Sequence, residues 1–263
     1  MNKDKITDLK HRIKTQKSTF AVYLVLRILL ILSIVMASLQ GNYETIFMSS
    51  LALILFFIPA FVEKNFGVEL PSVLEILIIM FIFAAIFLGE IQCYYIKVPF
   101  WDSLLHITNG FLCSAIGFAL VDIINRNPKF KFELSPLFLA VVAFCFSMTI
   151  GVLWEFFEFA CDIFLHTDMQ KDVILHTINS VMLNENGLNS PVRIDNITEV
   201  LVNGRNLNLG GYLDIGLFDT MKDLFVNFIG AVVFSIIGYV YVKSRGKNKF
   251  AENFIPKVKT DKK

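Results

Sequence analysis

The sequence predicts an all-α, polytopic transmembrane bundle of about six helices, with a small exoplasmic β-hairpin loop between the fifth and sixth. Three observations lead there. Hydrophobic residues make up 55% of the 263 and charged residues 18%, short of the ~25% of a soluble domain, and mean hydropathy is +0.62. Apolar runs near the ~20 residues that cross a ~30 Å hydrocarbon core recur along the chain. Lysine and arginine concentrate in alternate connections between those runs, the signature of segments held on the cytoplasmic side. A formal net charge of +1 leaves no footprint for nucleic acid, so the partner is membrane lipid.

The runs are Phe20 to Leu39, Thr45 to Val62, Val73 to Tyr94, Phe100 to Ile124, Leu134 to Leu165 and Ile215 to Val242. The first has a basic leader and a full-length apolar run, which favour a retained anchor over a cleaved signal peptide. The chain therefore divides into a basic tail at 1–19, five spans within 20–165, a loop at 166–215, a sixth span at 216–242 and a second basic tail at 243–263. Of the 24 Lys and Arg, only Lys97, Lys171, Arg193 and Arg205 fall in connections on the side opposite the tails. The expected location is the inner or plasma membrane, multi-pass, with both termini cytoplasmic.

The loop at 166–215 is long beside the other connections. In "ITEVLVNGRNLNLGGYLDI" two alternating runs flank Asn203-Gly204, a dipeptide suited to the type I′ turn of a β-hairpin. Upstream, "MQKDVILHTINSVM" reads as a short amphipathic segment on the membrane surface.

Ionisable residues inside the spans carry the functional question. In "WEFFEFACD" Glu155, Glu158 and Asp162 gather on one helical face, Glu158 about 60° and Asp162 about 20° from Glu155. "FWDSLLHITNG" places Asp102, His106 and Asn109 in one stripe, "FDTMKDLFVNFIGA" does the same for Asp219, Asp223 and Asn227, and Glu90 in "FLGEIQCYY" lies near the same depth. Acids in a first turn also suit the helix dipole, which accounts for Asp102 or Asp219 taken singly. The deeper members call for more, because intramembrane charge is costly and by default faces a bundle interior or a wet cavity. Bare carboxylates sharing a cavity repel, and a divalent cation is the economical way to neutralise them. The expected ligand set is Asp102, His106, Glu155, Glu158, Asp162, Asp219 and Asp223, with His106, Glu155 and Asp223 in catalytic roles and Glu90, Asn109 and Asn227 as further polar groups. No compact motif such as HExxH or paired CxxC fixes the metal.

The strings "PFWDSLLHITNGF", "GVLWEFFEFACD" and "GYLDIGLFDTMKDLFVNFIGAVV" resemble signature segments of the YjdF-like proteins, an uncharacterised bacterial inner-membrane family, and more distantly those of the VanZ-like membrane proteins. The resemblance covers Glu90 to Val242 and implies an envelope setting, with Asp102, His106, Glu155, Glu158, Asp219, Asp223 and Asn227 as the polar positions of the helices. It brings no settled activity. Three functional classes follow from the residues: a metal-assisted hydrolase or transferase acting on an envelope lipid or lipid-linked substrate, a cation- or proton-binding transporter or sensor, and a structural envelope-stress protein whose polar network locks the bundle.

Smaller features have structural readings. Arg27 can snorkel toward the cytoplasm, Cys93, Cys113, Cys145 and Cys161 read as free buried thiols, and Gly110, Gly117, Gly151, Gly230 and Gly238 read as close-packing positions. The charge pattern makes a direct prediction. A cysteine placed at Asn186 reacts with an impermeant thiol reagent applied outside the cell, and one placed at Asn127 does not; the reverse pattern would overturn the sidedness.

Overall fold

The computed structural model describes residues 17–65, 67–125, 134–244 and 250–258. Among these residues six helices are long and apolar enough to cross a membrane, over Ser18–Gln40, Tyr43–Asn65, Ser72–Ile91, Trp101–Asn125, Pro136–Leu165 and Leu217–Lys243. The turn expected at 126–131 and most of both basic tails lie outside the described residues. The chain divides into two compact units, one of residues 1–151 and 226–263, the other of residues 152–225.

In the larger unit, α1 (Lys17–Gln40) runs without Gly or Pro and ends where Gly41 adopts φ +70. Gly41 N donates to Ser38 O and Asn42 N to Ala37 O, the paired bonds of a Schellman stop. Asn42 at once caps α2 (Tyr43–Leu55), its side chain accepting Thr45 N, so the two helices form a tight hairpin. The second span then breaks into α3 (Ile58–Asn65), because Pro59 has no N–H to continue the ladder. Leu26, Leu30, Ala52 and Phe56 pack with Ile79, Ile82 and Phe83 of α4 (Ser72–Phe83) in one apolar cluster. The Arg27 guanidinium lies 5.2 Å from the Tyr23 ring centre and 5.3 Å from that of Phe57. It stacks on aromatic faces there, a cation–π alternative to snorkelling.

Beyond α4 the helix widens to a π-helix over Ala84–Ile91. The chain then reverses through Cys93 (φ 58), a single turn α5 (Tyr94–Lys97) and Phe100 (φ 63) into α6 (Trp101–Asn125). Tyr94 meets Trp101 edge-on at 5.0 Å, and Lys97 Nζ donates to Gln92 O, closing the reversal. Half of the α6 window is buried, against 17% for the first span, so α6 is the central helix of its unit. Leu112, Ala115 and Phe118 of α6 pack with Leu70 and Leu74, with Leu139 and Ala143 of α7 (Pro136–Leu165), and with Phe234 and Tyr241 of α8 (Leu217–Lys243).

The five glycines expected at close-packing positions are there. A Cβ on Gly110 would run into the Asn227 carbonyl and one on Gly230 into the Ile107 carbonyl, while Gly117, Gly151 and Gly238 lie against Phe146, Asn227 and Phe118. The cysteines depart from expectation. Cys161 is buried and Cys113 partly so, but Cys93 and Cys145 are exposed, which for Cys145 on a spanning helix means facing lipid, where an apolar thiol is at home.

Residues Phe250–Val258 do not behave as a solvated tail. A 3₁₀ turn at Ala251–Asn253 leads Phe254 and Ile255 into the apolar core. The segment then pairs as strand β8 (Lys257–Val258) with strand β1 (Val68–Glu69), in register Val68↔Val258 and Glu69↔Lys257.

The smaller unit holds the end of α7, the loop and the start of α8. Its strands pair as β2 (Ile174–Leu175) with β7 (Tyr212–Leu213), β3 (Ile178–Ser180) with β4 (Val192–Ile194), and β5 (Leu201–Val202) with β6 (Arg205–Asn206), all antiparallel. The β5–β6 turn is Asn203 (φ 52) and Gly204 (φ 77), the I′ geometry that Asn-Gly favours. The stretch read as an amphipathic surface segment instead supplies β2, β3 and a 3₁₀ turn at Val181–Leu183. Its partners β7 and β4 lie downstream, so nothing local announces the pairing.

The helix crossing at Gly110 and Gly230 admits no side chain. Gly230→Ala should lower the thermal midpoint by the equivalent of about 1–3 kcal/mol, the usual penalty of overpacking against backbone. A melt of the purified variant indistinguishable from wild type would show that the helices part easily there.

Candidate functional site

In the larger unit the polar stripe of α6 forms a column. His106 is buried, and its Nε2 lies 3.5 Å from Asp102 Oδ1 one turn earlier. Asn109 Nδ2 donates to Asn227 Oδ1 at 3.3 Å, and Asn227, 0% exposed, turns its own Nδ2 toward Ser147 O at 3.5 Å. Ser147 Oγ in turn donates to Gly110 O at 2.8 Å. One turn further along α6, Ser114 and Ser235 pair through their hydroxyls at 3.1 Å. Because Gly110 and Gly151 lack side chains, three helices approach closely enough for one amide to bridge them.

The column then stops. Phe111 meets Phe234 edge-on at 5.1 Å and Phe254 at 5.2 Å, and Phe118 meets Phe234 at 6.0 Å. These rings fill the interior beside and beyond Ser114 and Ser235. Asp122 is also buried, on the last turns of α6 and outside the expected site.

In the smaller unit the acidic faces point inward. On the end of α7 Glu155 and Glu158 are buried while Phe156, Phe157 and Phe159 are exposed, the inside-out pattern of a helix whose outer surface meets lipid. Trp154 Nε1 donates to Glu158 Oε1 at 2.8 Å. On α8, Asp219 and the 1%-exposed Asp223 share Lys222, whose Nζ lies 2.6 Å from Asp219 Oδ1 and 3.6 Å from Asp223 Oδ1. The backbone N–H of Lys171 donates to the other oxygen of Asp219.

Asp162 does different work from its two neighbours. Thr167 Oγ1 and Met169 N donate to its Oδ1, and Gln170 N to its Oδ2, so the carboxylate is spent ordering the loop as it leaves α7. Glu90 is exposed, on the π-helical stretch. Asp214 is a further functional acid of the loop, outside the polar stripes of the helices. Its carboxylate accepts Val173 N, Gly216 N and Phe218 N, tying β2 to the start of α8. An aspartate just ahead of a helix is the available signal, but the sequence alone does not show the donor from Val173.

The loop acids titrate according to these partners. Burial pushes the Asp214 carboxyl up, but the N–H donors of Val173, Phe218 and Gly216 together outweigh it and hold the group below the ordinary range. Asp172 goes the other way, raised by burial and by the charges of Asp168, Asp214 and Asp162. A depressed carboxyl contributes stability that is fully present above its unfolded value of about 3.9 and is lost as pH falls through the lower folded value. Amide-exchange protection around Val173 and Phe218 should therefore fade below about pH 4. Asp214→Asn should remove it at neutral pH as well, and unchanged protection there would show that the carboxylate does not hold the junction.

The family model described as "Predicted membrane protein (DUF2238)" matches residues 21–244. An uncharacterized protein of Thermotoga maritima is 29% identical over 106 residues, 40% of this chain and 53% of that protein, so the match spans about half the length of that relative. No solved structure matches the chain. With six candidate spans and a family match from the first of them to the end of the last, the chain belongs to the DUF2238 family of predicted membrane proteins.

Proposed function

We propose that the chain is a metal-assisted hydrolase or transferase of the envelope, acting on a lipid or lipid-linked substrate at the exoplasmic face. In this reading a divalent cation draws its ligands from the acidic set Glu155, Glu158, Asp219 and Asp223 of the smaller unit. The observation that carries it is the burial of Glu155, Glu158, Asp219 and Asp223 inside otherwise lipid-soluble helices. Such burial is costly unless the charges share a counter-ion or a wet cavity. Oxygen-rich donors suit Mg²⁺, Mn²⁺ or Ca²⁺. Asp162 is left out of the set because loop backbone and Thr167 already occupy both its oxygens.

The ion would polarise a phosphoryl or acyl oxygen and lower the pKa of a bound water. In the larger unit His106, one turn from Asp102, is one candidate base in this reading. Glu155 is the second candidate base. Lys222, between Asp219 and Asp223, limits the negative charge gathered on α8. The resemblance to YjdF-like and VanZ-like proteins falls on the same residues and is consistent with an envelope setting.

Metal analysis of the purified protein tests the reading. Wild type should carry a stoichiometric divalent ion that Asp223→Asn and Glu155→Gln each lose, and a chelator should lower the melting midpoint of wild type but not of the variants. An ion-free wild type whose melt ignores chelator, with Glu155→Gln markedly destabilised, would make the acids a structural network instead.

A further inference from the structure

We propose that the groove between the start of α7 and the end of α8 holds one anionic phospholipid of the membrane, with an acyl chain along the groove and the headgroup against Lys243. The two helices run antiparallel there, in the larger unit, and between them lies a depression of about 450 Å³, within the ~300–1,000 Å³ of small-molecule sites. Leu137, Val141 and Phe144 wall it on α7, and Val232, Ile236 and Tyr239 on α8. Small residues make its floor. Ala140 and Ser235 are buried, and Ser235 turns its hydroxyl to that of Ser114, which leaves the surface of the groove apolar. The walls stand out from that floor, Leu137 64% and Ile236 57% exposed, and on spanning helices such exposure faces lipid.

The groove has the length and the polarity of one leaflet. From Tyr239 to Phe228 the α8 wall covers about 16 Å of helix rise, roughly half of a ~30 Å hydrocarbon core. At the inner end Phe144 meets Phe228 edge-on at 5.4 Å, closing the groove near the middle of the span Leu217–Lys243. At the other end α8 stops at Lys243, whose Nζ is turned back to 5.4 Å from the centre of the Tyr239 ring. A wall residue thus carries the ammonium at the mouth of the groove, at the level where tyrosine and lysine meet headgroups. This is the end the charge count assigns to the cytoplasm, where anionic lipids attract basic side chains and basic pockets between spanning helices bind lipid headgroups. An acyl chain laid between the walls recovers the dispersion contacts that a void there would forfeit. A phosphate at Lys243 then decides which headgroup accompanies the chain. A flat lipid-facing helix has neither a recessed floor nor a charge in line with it. The site does not depend on the proposed metal chemistry, and its test has no activity readout.

Native mass spectrometry of the full chain in detergent, titrated with phosphatidylglycerol or with phosphatidylcholine of matched chains, tests the site. Wild type should take up one phosphatidylglycerol about fivefold more tightly than phosphatidylcholine, the effect of a single lysine near an anionic headgroup. Lys243→Gln should erase that preference and leave phosphatidylcholine binding as it was, whereas Lys64→Gln, at the end of α3 on the same side by the charge count, should keep it. Val141→Trp, which lays an indole across the groove, should weaken the binding of both lipids, and Ile236→Trp should do so from the opposite wall. Val25→Trp, on the lipid face of α1, should not. All five positions are exposed, so the helices keep their packing, which melting profiles check. A wild type without headgroup preference, a preference lost equally in Lys64→Gln, or binding indifferent to both groove tryptophans would overturn the site. A dimer that Val141→Trp dissociates would overturn it too, because the groove would then seat a second copy of the chain.

Discussion

Asn227 sits where three helices touch, and the closeness of that contact sets the terms for the rest of the larger unit. An amide with no exposure in a lipid-soluble bundle must have its donors and acceptors met by protein. It is met by Asn109 from α6 and by the Ser147 carbonyl from α7. That is geometrically feasible only because Gly110, Gly151 and Gly230 remove the side chains that would hold the backbones apart. Once the backbones are that close, Ser114 and Ser235 find each other and Ser147 finds the Gly110 carbonyl. Polar glue and small residues therefore occur together: the glycines allow the approach and the amide makes the approach specific.

Within the smaller unit carboxylates are handled in two contrasting ways. Asp162 and Asp214 accept backbone N–H groups and act as ties for the loop. Their charge is offset by several short hydrogen bonds, which favour the ionised form. Glu155, Glu158 and Asp223 instead lie on buried helical faces whose opposite sides are phenylalanine and other apolar residues. A loop tie needs only one acid at a time. A buried acidic face gathers several, and that accumulation is what the proposed cation would answer.

Much of the fold was legible because the relevant signals are local. Apolar runs gave the six spans, Asn203-Gly204 gave its hairpin, and the glycine spacing along α6 and α8 marked the helix contacts, each within a window of a turn or two. The i, i+4 spacing of Asp102 and His106 was legible in the same way. What stayed hidden depends on partners far along the chain. Ile174 pairs with Leu213 and Ile178 with Ile194, and neither short strand has the length or alternation to declare itself. Asp214 is an ordinary helix-start residue until Val173 is folded beside it. The π-helix at Ala84–Ile91 has no compositional mark against the α-helix that precedes it. Phe254 and Ile255 share an i, i+4 spacing with Phe250 and Ala251, but the run stops at Pro256 and is far too short to declare itself a span.

The pairing of β1 with β8 also imposes an order on synthesis. Val68 and its partner Val258 are separated by 190 positions, and a ribosome adding about 5–20 residues per second needs roughly 10–40 s to cover them. The helices that share the apolar cluster with Phe254 all precede it in the chain, so most of that cluster is translated before the segment that completes it. For part of its early life the protein presents Leu70, Leu74 and Leu112 to whatever else is at hand, lipid tails or an insertion chaperone among them. The interval between building that surface and covering it belongs to biogenesis, and the folded structure carries no trace of it.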